Sequence, residues 1–183
     1  MINPMVFITS DKLEHAQKIL SAIPGAMNKA VKSALHRVGD GLKTDAVKET
    51  TNKYFLSASD IRRHLVFKKA SGPNATVSLI ATGGRRDISE YKISGAGKNL
   101  QVAVKKTGMK KLRTGFLSPN AKDINGKPIV LWRPKGEIKG VKTLSVPQAI
   151  GNKDTVQAVK EGALGRLEKR LDHEILRVLG AFK

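Results

Sequence analysis

The chain has 183 residues, with 34 lysines and arginines against 15 aspartates and glutamates, and a formal net charge of +19. Apolar residues make up 40% and aromatic residues 4% of the chain, so we expect one domain with a core of aliphatic side chains and alanine. This composition is too apolar for a wholly disordered chain. No apolar run approaches the roughly 20 residues that span a bilayer, and residues 1–10 lack the basic flank of a signal peptide. Cysteine is absent, which excludes disulfide bonds and cysteine-ligated zinc.

The excess of positive charge indicates the class of partner. A surface with this charge repels its own copies and attracts phosphate polyanions or acidic proteins. We therefore expect nucleic acid as the first candidate partner and an acidic protein as the second.

The first half of the chain reads mainly as helix. Residues 1–23 are predicted to form an N-terminal arm, with a strand at 5–9 and a helix that Ser10 or Asp11 caps. From Pro24 to about Asn52, apolar residues recur at spacings of three and four, which predicts a helix on the order of 40 Å long. Gly39 and Gly41 lie in its middle and indicate either a kink or a neighbour packed close against the helix.

The middle of the chain alternates short apolar runs with glycine and proline, as antiparallel strands do. Residues 57–60 are predicted to cap a short helix over 61–63. The runs that predict strands are residues 65–67, 75–81, 100–105, 114–117 and 129–132.

The end of the chain has the clearest periodicity. Pro147 begins this last unit and Asn152 is expected to cap a long helix, whose apolar line runs from Val156 to Phe182. We predict a single α+β domain over residues 1–183, with N-terminal helices, an antiparallel β-sheet meander and a long C-terminal helix.

Positive charge is concentrated in the glycine-rich region 84–142. Residues 85–142 hold fifteen basic and four acidic residues, a net charge of +11. Residues 98–113 contain six basic residues and no acidic one, and residues 105–111 read as a hairpin tip. Such a tip can contact a phosphate backbone without reading bases. The residues that we predict to face DNA are Lys98, Lys105, Lys106, Lys110, Lys111 and Arg113.

Other patterns do not indicate catalysis. Residues 95–99 resemble a phosphate-binding loop only loosely, since Lys92 stands at the first glycine position and Asn99 at the Ser/Thr position. The four histidines are dispersed, and Asp172, His173 and Glu174 are adjacent on one helix, so they do not converge on an ion. We predict no enzyme activity, no cofactor and no metal site.

Several short motifs, in this order along the chain, resemble the minor tail protein Z family of tailed bacteriophages. They are TDAVKET at 44–50, YFL at 54–56, DIRRHL at 60–65, KKA at 68–70, GFL at 115–117 and SVPQ at 145–148. The resemblance covers most of residues 25–180. Two segments depart from the family pattern. Residues 142–144 replace the Tyr-Gly-Pro that the family has before SVPQ. Residues 85–91 resemble the family only in having an apolar residue followed by an aromatic one.

This resemblance implies a tail-completion or neck protein of the virion, assembled in the host cytoplasm. It implies a ring of copies, expected to be a hexamer, that joins the tail terminator or tail tube to the head connector around duplex DNA. It supplies no catalytic residues. The residues that we predict to contact other subunits or partners are Arg62, Arg63, Trp132, Pro147 and Gln148.

Two other functions fit the same sequence. One is a basic protein that binds nucleic acid without sequence specificity and with a steep salt dependence. The other is an adaptor whose lysines dock on acidic tail proteins without contacting DNA.

Overall fold

A computed structural model describes Lys18 and residues 25–68, 77–123 and 126–180. The predicted strand at 5–9, the capped helix that follows it and Pro24 lie outside these residues, apart from Lys18. The described part contains helices and antiparallel sheets, which confirms the α+β class with a long C-terminal helix.

Two 28-residue helices pack against each other as an antiparallel pair. Helix α1 spans Ala26–Lys53 and helix α4 spans Lys153–Gly180. Ser33 of α1 contacts Glu174 of α4, whereas Asp45 contacts Arg166, so residue numbers fall along α4 as they rise along α1. Ala34, Val38 and Leu42 of α1 and Ala163, Leu167 and Leu171 of α4 are buried in one hydrophobic core. The apolar spacing therefore marks the core face of this helix pair.

Helix α1 runs through Gly39 and Gly41 as one continuous helix, and both glycines face close neighbours. A Cβ at position 39 would overlap the ring of Phe67. A Cβ at position 41 would stand 2.7 Å from Nε of Arg166. Close packing, rather than a kink, is thus the reason for these two glycines.

Two short helices have their N-termini capped by serines. Helix α2 spans Ala58–Arg63, and the Asp60 N–H donates to Oγ of Ser57 at 3.1 Å. Helix α3 spans Val146–Ile150, where Ser145 and Gln148 form a reciprocal capping box with Pro147 in the first turn. Asn152 accepts a hydrogen bond from the Asp154 N–H at the start of α4, as predicted.

The strands form three small antiparallel sheets instead of one meander. Strand β1 (Leu65–Lys68) pairs with β2 (Ser78–Ala81), and β3 (Lys92–Ser94), β4 (Gln101–Ala103) and β5 (Lys110–Lys111) form a second sheet in that order. The third sheet contains β6 (Gly115–Lys122), β7 (Pro128–Trp132) and β8 (Lys139–Gly140). Single 3₁₀ turns at Ile88–Glu90 and Gly97–Asn99 lie around β3.

Two observed strands end at least two residues away from the predicted last residue. The predicted strand at 100–105 is regular only over β4, because Lys105 leaves the sheet to bridge Tyr54. The predicted strand at 114–117 continues to Lys122 through Pro119, where the pairing with β7 shifts register. Proline has no N–H for a regular ladder, and the register shift accommodates it.

Candidate nucleic-acid and partner interface

The basic segment predicted from the sequence forms a real hairpin, which we call the lysine hairpin (residues 98–113). Strands β4 and β5 pair in antiparallel register, with Gln101 opposite Lys111 and Val102 opposite Lys110. All six predicted DNA-facing residues are exposed. Within the described part of the chain, none of these six cations makes an ion pair with a carboxylate.

The lysine hairpin is anchored to the C-terminal end of helix α1. The Lys106 N–H donates to the carbonyl of Lys53 at 2.9 Å, and the Phe55 N–H donates to the carbonyl of Val104 at 3.0 Å. The carbonyls at a helix C-terminus carry partial negative charge, which favours nearby cations. Backbone hydrogen bonds therefore tie the hairpin to the end of α1.

Aromatic rings beneath the hairpin hold some of its ammonium groups. Nζ of Lys105 lies 5.9 Å from the ring centre of Tyr54. Nζ of Lys92 and Nζ of Lys106 lie 5.5 Å and 5.9 Å from the ring centre of Phe55. Each such contact stabilises an exposed cation by about 0.5–1 kcal/mol without neutralising its charge.

Tyr54 stays protonated at neutral pH. Burial raises its pKa above the ordinary 10.0, the negative charge of Asp154 adds to the shift, and a hydrogen bond with Asn152 opposes it. Its hydroxyl therefore adds no negative charge beneath Lys105. The ring is only 2% exposed, so it cannot serve as a stacking surface for a base.

A groove of about 810 Å³ lies beside the hairpin, and we call it the basic groove. Its deeper surface is apolar and consists of Tyr54, Ile88, Val102, Val104, Leu112 and Leu144. Its basic lining residues are Arg85, Lys105, Lys110 and Lys111. Thr107, Gly108, Thr143 and Gln148 complete the described lining, in which there is no acidic residue.

The basic groove brings together parts of both predicted sets. Lys105, Lys110 and Lys111 come from the predicted DNA-facing set, and Gln148 comes from the predicted partner-contact set. Gln148 also caps helix α3 through its Oε1, so part of its role is structural. Lys98, Lys106 and Arg113 do not line the groove, although all three are exposed.

The remaining predicted contact residues lie elsewhere. Arg62 and Arg63 are exposed on α2, and Nη2 of Arg63 forms an ion pair with Asp60 at 2.6 Å. Trp132 is 39% exposed at the end of β7, and Pro147 is half-buried in the first turn of α3.

Arg85 and Leu144 are groove residues that the sequence reasoning missed. Arg85 follows a pair of glycines, and Leu144 belongs to a segment with no clear periodicity. Their place in the groove depends on the bridge between Asp87 and Lys142, which joins segments far apart in the sequence. No local pattern signals that pairing.

The described residues hold no cluster of histidines and carboxylates that could bind a metal ion. Residues 95–99, which loosely resemble a phosphate-binding loop, lead into a 3₁₀ turn and then strand β4. A phosphate-binding loop instead leads into the N-terminus of a helix. No helix among the described residues combines the length and the apolar character that crossing a membrane requires.

No family model, curated protein or solved structure matches this chain.

Proposed function

We propose that this chain is a structural protein of a tailed-phage virion, a tail-completion or neck component that joins the tail end to the head connector. In this proposal, copies of the chain form a ring around the DNA path, and the lysine hairpin contacts the duplex electrostatically. The order of the short sequence motifs supports the family, and the lysine hairpin supports the DNA contact.

One observation carries the DNA contact: six exposed cations lie in one hairpin with no carboxylate paired to them within the described residues. Unpaired cations on this anchored hairpin leave their charge for a partner. Phosphates of duplex DNA attract such cations without regard to sequence.

The predominance of lysine over arginine fits a surface along which DNA moves. Five of the six residues are lysines. Lysine presents a compact, mobile point charge, whereas arginine forms rigid two-point contacts with phosphate. A lysine lining can hold the DNA end in the neck and still release it at infection.

The proposal is tested in particles of the virus that encodes this chain. The variant replaces Lys105, Lys106, Lys110 and Lys111 by Gln. The control replaces four exposed lysines on the long helices by Gln, which lowers the net charge equally; these are Lys29, Lys48, Lys153 and Lys169. We expect control particles to be normal, and hairpin-variant particles to join heads to tails while the DNA end fails to enter the tail.

Nuclease protection of the DNA end and electron microscopy of the particles measure these outcomes. Hairpin-variant particles in which the DNA end enters the tail as in the control would contradict the DNA contact. Absence of the chain from purified particles would contradict the virion role itself.

A further inference from the structure

We propose that the basic groove binds a short acidic peptide segment with apolar side chains, supplied by a neighbouring protein. This inference goes beyond the DNA contact, because it assigns a separate ligand to the recessed surface beside the hairpin.

The shape and chemistry of the basic groove favour a narrow amphipathic ligand. Its volume of about 810 Å³ falls in the range of roughly 300–1,000 Å³ that is typical of small-ligand clefts. The apolar surface that remains accessible in the groove belongs to the half-buried Val104, Leu112 and Leu144. A DNA duplex is too wide to contact these side chains closely, and their apolar surface gains nothing from phosphate. An extended peptide can place apolar side chains against this deeper surface and leave its backbone at the opening.

The positive charge of the groove favours a negatively charged ligand. Arg85, Lys105, Lys110 and Lys111 line it, and the described lining includes no carboxylate. In the bound peptide, acidic side chains on either side of an apolar residue would pair with these cations. Charge complementarity of this kind sets orientation and speeds association.

The edge of the second sheet offers the peptide backbone a partner. Among the described strands, β5 pairs only with β4, so its other edge has no strand partner. Lys110 and Lys111 form this edge strand and also line the groove. An extended peptide can add to such an edge through main-chain hydrogen bonds.

A second copy of this chain is a poor occupant. The groove is lined by cations, and a chain with a net charge of +19 offers few carboxylates to pair with them. Lysines on an edge strand also resist pairing between identical edges. The occupant is therefore a different, acidic protein.

The test uses a fluorescently labelled nine-residue peptide that alternates glutamate with leucine, and an equally charged peptide that alternates glutamate with serine. Fluorescence anisotropy with the full-length chain measures both affinities. We expect the leucine peptide to bind at least about tenfold more tightly, the difference that burial of one further apolar side chain produces. Equal affinities would show that only charge is recognised and would overturn the proposal, as would failure of the leucine peptide to bind.

Thr143→Trp places a large side chain in the half-buried lining of the groove, outside the lysine hairpin, without changing charge. We expect this variant to lose binding of the leucine peptide by about tenfold or more while its affinity for duplex DNA is unchanged. Its denaturation midpoint shows that the fold is intact, and Thr143→Ser serves as the matched variant that should bind as the parent does.

The two proposals fail in different ways. If Thr143→Trp still binds the leucine peptide as the parent does, the peptide lies elsewhere and the groove proposal is wrong. If Thr143→Trp loses both peptide and DNA, the groove is the DNA site, which also overturns the peptide proposal. Loss of DNA binding in the four-lysine hairpin variant concerns only the proposed function.

Discussion

In the helix pair, several charged side chains have polar partners within the chain, both across the two helices and along one of them. Arg166 contacts Asp45, and Ser33 and Arg177 both donate to the buried carboxylate of Glu174. In the lysine hairpin, six cations are exposed and none has a carboxylate partner among the described residues. The first arrangement contributes to stability within the chain, whereas the second leaves its charge for a partner. Mutations in the two regions should therefore affect different measurements.

The largest effect on stability should come from the apolar face of the helix pair. Leu167 is fully buried between the helices, so Leu167→Ala removes apolar contacts and leaves a cavity. We expect a loss of about 2–5 kcal/mol in the free energy of unfolding, measured by chemical denaturation.

Leu176→Ala is the matched control, since Leu176 lies on the same helix and is 71% exposed. Its expected change is within about 0.5 kcal/mol. Similar losses for the two variants would contradict the assignment of the core face.

The next effect concerns the glycine contact in helix α1. In most exposed helical positions, Gly→Ala stabilises by about 0.5–1 kcal/mol. Gly165 has open space around its Cβ direction, so Gly165→Ala should show this gain. At Gly39, a Cβ would overlap the ring of Phe67, and we expect Gly39→Ala to lose about 1–3 kcal/mol.

Thermal and chemical denaturation of both variants measure the two changes in the free energy of unfolding, which we expect to have opposite signs. A gain in Gly39→Ala equal to that in Gly165→Ala would show that the Phe67 ring does not pack against α1 at this position.

A smaller effect on the free energy of unfolding, which depends on pH, is expected from the contacts of Glu174. Burial raises the pKa of this carboxyl, but hydrogen bonds from Ser33 and Arg177 outweigh burial and hold it below the ordinary value of 4.5. The stability that depends on the ionised form is therefore fully present above about pH 4.5 and is lost as the pH falls through the folded-state pKa. Ser33→Ala should cost about 1 kcal/mol at pH 7 and less at pH 3.

Thr44→Ala is the control, because Thr44 lies on the same helix and its hydroxyl is exposed. Any change from helix propensity should be the same at both pH values in this control. An equally pH-independent effect of Ser33→Ala would contradict the proposed support of the Glu174 carboxylate.

The sequence predicted the two long helices well because helical periodicity is local, whereas their packing against each other is not a local feature. Val159, Leu167 and Leu171 recur at helical spacing, and all three are buried as expected. The cap at Ser57 was also predictable, since the serine and the N–H that it accepts from lie three residues apart. Features of this kind need no knowledge of distant residues.

The division into three sheets and the basic groove could not be predicted in this way. Pro119 suggested the end of a strand, but the register shift lets β6 continue past it. The groove combines Tyr54, Arg85, Leu112 and Leu144, which come together only through non-local bridges and strand pairs. The sequence did locate the hairpin lysines, because their concentration in one short segment is itself a local signal.

The central claim is that the cations of the lysine hairpin carry charge for a polyanionic partner and contribute little to the fold. Its most direct test is the salt dependence of duplex DNA binding by the variant with Gln at Lys105, Lys106, Lys110 and Lys111, beside the helix control with Gln at Lys29, Lys48, Lys153 and Lys169. Each lysine that contacts a phosphate contributes about 0.9 to the slope of log affinity against log salt. We predict that the magnitude of this slope falls by about 2–4 in the hairpin variant and by less than about 1 in the helix control. The hairpin variant also loses two contacts between lysines and aromatic rings. Its free energy of unfolding should therefore stay within about 1–2 kcal/mol of the parent's. Equal slopes for the two variants would contradict the claim, because net charge rather than the hairpin would then determine DNA binding.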